Sequence, residues 1–144
     1  MTLVEAIAVL NRWADDAKVR VSQLGKDFFE IDHEFGDRRI FLVFKEEISN
    51  KVTTVNYSVI VGEIADKNAL LPILSRNRGG VMDSEFFFST RQLEGHHALF
   101  LETTQYNIHL SQEGLRDLLD AWWVHPFWVR EWDFPQGVTN FLWD

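Results

Sequence analysis

Two hydrophobic periods alternate along this chain. Leu3, Ile7, Leu10, Ala14 and Ala17 recur at helical spacing and predict a helix over residues 3–17. Thr2 and Glu5 stand where a capping box would close its first turn. The period then drops to two. In FFEIDHEF, Phe29, Ile31, His33 and Phe35 point to one face, and Glu30, Asp32 and Glu34 to the other. GDRR at 36–39 reads as a turn. IFLVFKEEI follows as a strand that is apolar on both faces for part of its length. TTVNYSVIVGEI is a further strand, with Val55, Tyr57, Val59 and Val61 on one side. These runs predict an antiparallel meander.

KNALLPILSRNRGG interrupts the strands. Leu70, Leu71, Ile73 and Leu74 predict a short helix with Pro72 in its first turn, ended by Gly79 and Gly80. SEFFFSTRQL and HALFLETTQY then form a second hairpin around Glu94, Gly95 and His96, which NIHL extends. Ser111 is placed to cap a last helix, and Glu113 puts a negative charge in its first turn. Leu115, Leu118, Leu119, Trp122 and Trp123 make its apolar stripe, and His125–Pro126 ends it.

Runs of strands bracketed by helices predict an α+β fold. The expectation is an antiparallel sheet of five to six strands flanked by N-terminal and C-terminal helices. The 144 residues suit one domain, with an α+β core over 1–124 and a Trp-rich C-terminal segment over 125–144. This order, carried by LVEAIAVLNRWA, YSVIVGEIADKNALLPIL and EGLRDLLDAWW, resembles the type III secretion chaperone-like fold shared by the YbjN-like proteins. The resemblance covers residues 1–124. It implies a non-enzymatic, often dimeric protein that binds extended segments of other proteins, and it implies no catalytic residues. The segment from Val124 to Asp144 departs from that pattern.

Composition narrows the function classes. With no cysteine, disulfides, thiolate metal sites and cysteine nucleophiles are excluded. The spaced apolar residues of the N-terminus do not read as a signal peptide, and no run is long enough to span a bilayer. The expectation is a soluble cytoplasmic chain. A net charge of −8 repels nucleic acid and anionic membrane, and it suits a basic partner.

Candidate chemistry is sparse. His96 and His97 are adjacent, so in a strand they point apart, and His33, His109 and His125 have no ligand spacing to them. Glu30, Asp32, Glu34 and Asp37 form an acidic row that could attract Ca²⁺ weakly, and it reads more simply as a solvated strand face. Ser58, Ser89 and Ser111 lack a nucleophile elbow. Arg76 and Arg78 in SRNRGG lack the strand–loop–helix order of a phosphate loop. No catalytic residue, metal site or cofactor is expected.

That leaves AWWVHPFWVREWDFPQGVTNFLWD, with five of the six tryptophans. Its rings either fold back onto the sheet or first helix as core, or stay exposed as anchors for a partner. The candidate partner-binding residues are Trp122, Trp123, Phe127, Trp128, Arg130, Trp132, Phe134 and Trp143. Trp128, Arg130 and Trp132 lie at strand spacing on one face, suited to docking on another protein or a twin subunit in a homodimer. The expected function is therefore protein binding, as a chaperone-like adaptor or regulator. One alternative is an acidic immunity-type inhibitor. Another is a small-molecule binder or enzyme with a pocket between sheet and last helix, lined by Arg91, Tyr106 and His109.

Overall fold

The computed structural model describes residues 1–32, 39–47, 50–75, 86–106, 111–124 and 136–140. Their order is α1 (Leu3–Ala17), β1 (Arg20–Gln23), β2 (Phe28–Asp32), β3 (Arg39–Glu46), β4 (Val52–Ile64), α2 (Leu70–Ser75), β5 (Phe87–Leu93), β6 (His96–Tyr106), α3 (Gln112–Val124) and β7 (Val138–Asn140). The fold is α+β, as the sequence predicts. The described strands form one antiparallel sheet of seven, ordered β1-β2-β3-β4-β6-β5, with β7 pairing β4 off that path. The count exceeds the expected five to six because β1 and the described part of β7 give no alternating pattern.

The first helix has the predicted bounds. The Glu5 N–H donates to Thr2 Oγ1 at 3.2 Å, which makes Thr2 the N-cap. Its buried face runs through Leu3, Ala6, Leu10 and Ala14 and includes Trp13, a larger ring than the predicted stripe held. Ile7 and Ala17 are only partly buried. At the C-terminus Lys18 adopts φ 57°, the left-handed region, and the Val19 N–H reaches back to the Ala14 carbonyl at 3.0 Å. Glycine takes that conformation without the Cβ strain. Lys18→Gly is therefore expected to raise stability by about 0.5–1 kcal/mol, read as a higher thermal midpoint.

After that cap the chain turns directly into β1. Leu24 and Gly25 both donate to the Phe28 carbonyl, at 2.8 and 3.1 Å, and close the hairpin to β2. Strands β2 to β4 form the predicted meander, and β1 adds to its edge. In β4, Val55, Tyr57, Val59 and Val61 all face inward, as the alternation requires. The next turn also falls where expected. Glu94 and Gly95 have φ of 53° and 82°, the paired positive values of a tight two-residue hairpin. His96, expected in the turn, begins β6.

Helices α1 and α3 cover one face of the sheet. Leu115, Leu119 and Trp122 of α3 join Leu10 and Trp13 of α1 over Phe29, Leu42, Phe44 and Tyr57. Ser111 caps α3 by accepting the Gly114 N–H at 3.0 Å, and α3 is described as far as Val124, so its predicted end at His125–Pro126 lies outside the described residues. In α2, Ile73 is buried while Leu71 and Leu74 are exposed, so only part of its predicted apolar set is core. Gly79, Gly80, NIHL and the continuation of β2 through His33 and Phe35 lie outside the described residues.

Candidate functional site

The aromatic run begins inside the domain. Trp122 is 2% exposed, and its ring stacks on Tyr57 with centroids 5.3 Å apart. The Tyr57 hydroxyl donates to the Trp122 carbonyl at 3.0 Å, which satisfies one of the orphan acceptors of the helix end. Trp123 is half-buried and meets Trp13 edge-on at 5.6 Å. The Trp13 indole N–H donates to the Asp120 carboxylate at 2.9 Å. An Arg116–Asp16 ion pair and a hydrogen bond from Arg12 to Gln112 complete the α1–α3 seam. Trp122 and Trp123 thus fix the end of α3 to the sheet and to α1. In this arrangement the Trp122 ring offers no surface to a partner. Phe127, Trp128, Arg130, Trp132, Phe134 and Trp143 lie outside the described residues.

Past that segment the chain comes back to the sheet. Val138, Thr139 and Asn140 pair with Ile64, Glu63 and Gly62 of β4. The sequence pattern predicts no strand at residues 138–140, and the structure pairs them with β4. Gly62 carried the missed signal. A glycine inside a strand marks a close approach of another backbone, and a Cβ on Gly62 would stand 2.5 Å from the Thr139 carbonyl oxygen.

The sheet face away from the helices carries a second apolar cluster of Phe41, Ile60, Ala98 and Phe100, with Phe28 and Leu93 at its margin. Phe41 and Phe100 are 5% and 2% exposed, and their centroids are 6.2 Å apart. An arginine lies over each ring, Arg39 at 5.3 Å from Phe41 and Arg91 at 4.1 Å from Phe100. Both guanidiniums are neutralised. Arg39 pairs with Glu30 at 2.9 Å and Glu94 at 3.1 Å, and Arg91 with Glu102 at 3.1 Å. The hydrogen bond to Glu30 holds Arg39 above the usual arginine range, against the opposing effect of burial. Ser89 donates to Glu102 at 2.5 Å, and Asn56 donates to Thr104 at 2.9 Å. The apolar outer side of β3 was legible in the sequence. Arg39 lies two residues from Phe41 on the same face of β3, whereas Arg91 reaches Phe100 only across the β5–β6 pairing, which no local window shows.

The two described members of the acidic row are ion-paired. Glu30 pairs with Arg39, and Asp32 pairs with Arg20 at 3.1 Å. Glu34 and Asp37 lie outside the described residues. His96 and His97 point to opposite faces, opposite Leu93 and Gln92 in the hairpin, and His96 Nδ1 lies 2.7 Å from Glu63. Among the described residues no three His, Asp or Glu side chains gather where an ion could sit.

A cleft of about 190 Å³ lies between α1 and α3, lined by Val9, Arg12, Gln112, Glu113 and Arg116. It is smaller than the roughly 300 Å³ at which small-molecule pockets begin. Arg91 is on the face opposite α3, over Phe100, and so does not line a pocket beneath that helix. Tyr106 ends β6, while His109 and the Arg76–Arg78 loop lie outside the described residues. No helix among the described residues is long and apolar enough to cross a membrane. A scan of protein-family models and searches of curated proteins and solved structures find no match to this chain.

Proposed function

We propose that this chain is a non-catalytic protein-binding domain, a chaperone-like adaptor or regulator that engages another protein or its own twin subunit. One observation carries the reading. The aromatic-rich stretch 125–135 is held by the domain at both of its ends, by the packed end of α3 and by β7 on β4. A segment tethered twice loses less freedom on binding than a free tail, so more of its contact energy appears as affinity. Phe127, Trp128, Arg130, Trp132 and Phe134 within it are the residue types that anchor interfaces. The acidic balance favours a basic partner surface. The chaperone-like resemblance of element order points to the same class of role, with an extended protein segment as the ligand.

The test keeps both anchors intact. A Trp128→Ala, Trp132→Ala double variant is compared with the full chain in affinity capture, with reconstitution from the purified partner and sedimentation for self-association. The expected result is at least about tenfold weaker binding, or loss of the dimer, with an unchanged circular dichroism spectrum. Unchanged binding to the reconstituted partner, or no partner and no self-association by the full chain, overturns the reading.

A further inference from the structure

We propose that the cleft between α1 and α3 binds a phosphate group, with Arg12 as its anchor and Arg116 as the second cation.

The cleft suits one oxyanion. Its volume of about 190 Å³ equals the liquid share of about six waters. That is too little for a whole metabolite and enough for a tetrahedral anion with part of its hydration. Val9 is buried while Arg12, Gln112, Glu113 and Arg116 are exposed, so an apolar floor carries a polar rim. Both arginines stand on fixed backbone. Trp13, next to Arg12, is buried and held by Asp120 and Trp123, and Leu115, next to Arg116, is fully buried.

Arg12 is the exception among the described arginines. Arg20, Arg39, Arg91 and Arg116 each pair with a carboxylate. Arg12 meets only a neutral acceptor, the Gln112 side-chain oxygen at 3.3 Å. Carboxylates are plentiful in a chain with 22 acidic residues against 14 lysines and arginines, yet among the described residues none closes on Arg12. A guanidinium carries five N–H donors in a fork that matches oxyanions, and one long bond to an amide leaves most of them for a ligand. Gln112 is able to turn its amide and donate to the same ligand. Two guanidiniums from different helices favour a tetrahedral phosphate, which offers each a separate edge, over a planar carboxylate that one fork satisfies. The opposing charges are Asp16, which holds Arg116, and Glu113 on the rim. They keep the affinity modest, and Glu113 sets its ceiling.

Nuclear magnetic resonance of the full chain, titrated with inorganic phosphate and with chloride at equal ionic strength, tests the site. Saturable shifts are expected at the Arg12 Nε–H and at the Gln112 and Glu113 amides with phosphate and not with chloride. Arg12→Gln is expected to weaken binding at least about tenfold, and Glu113→Gln to tighten it at least about threefold, both with unchanged circular dichroism. A general loss of structure would not move the two variants in opposite directions. Methyl phosphate separates the two sources of the group. Affinity equal to that of inorganic phosphate supports a phosphate carried on a larger molecule, and a clear preference for the inorganic ion supports the free anion. No saturable shift, the same shifts with chloride, Arg12→Gln binding as tightly as the unaltered chain, or Glu113→Gln binding no tighter overturns the site.

Discussion

Trp122→Ala is expected to lower the free energy of unfolding by about 3–5 kcal/mol. The ring is 2% exposed and stacks on Tyr57 between α3 and the sheet. Deleting it removes its buried apolar area and leaves a void between a helix and a strand, neither of which can collapse freely. The helix end is further held by the Tyr57 hydroxyl on the Trp122 carbonyl. Tyr57→Phe separates the two contributions. It removes that hydrogen bond, keeps the stacked rings, and should cost about 1 kcal/mol. Urea unfolding with an unchanged slope and a lowered midpoint measures both. A cost below about 1.5 kcal/mol for Trp122→Ala would mean that the ring is not packed as described. The consequence reaches the function. A Trp122 variant that loses its partner has lost the anchor of α3, and such a loss says nothing of direct contact.

The fold was legible wherever one element carried several repeats of one period. Leu3 to Ala17 and Leu115 to Trp123 repeat often enough to define their helices, and Val55 to Val61 define the inward face of β4. β1 has only Val21 between polar neighbours. The partner of β7 on β4 is remote in sequence, so no local window contains the pair. The visible clue was Gly62, a break in an otherwise β-branched run.

The candidate site was legible in residue type and not in role. The helical stripe put Trp122 and Trp123 on one face, and the same stripe serves a core or an interface equally well. Which it is depends on what lies opposite. Tyr57 and Trp13 are there, both far away in sequence. The outer cluster was hidden for the same reason. Phe41 meets Phe100 across β4 only because β6, not β5, pairs with β4.

That outer cluster sets the second large effect. Phe100→Ala is expected to cost about 3 kcal/mol, although no described helix packs on its face of the sheet. A ring on a solvated sheet face would cost far less. Phe100 is instead 2% exposed, beside Phe41 and beneath the Arg91 guanidinium 4.1 Å away. Arg91 is held there by Glu102, which Ser89 also engages, so the cover is fixed rather than draped. Leu71→Ala is the matched control. Leu71 is 77% exposed on α2, and its loss should stay within about 0.5 kcal/mol. Chemical denaturation of both variants decides between two pictures of this face. A large loss for Phe100 alone makes it a second core layer, sealed by paired arginines, and keeps the proposed partner site in the aromatic-rich stretch. A loss as small as that of Leu71 would make the Phe41–Phe100 strip loosely covered. A partner could then displace the arginines and stack on the rings, and the search for the interface would move to this side of the sheet.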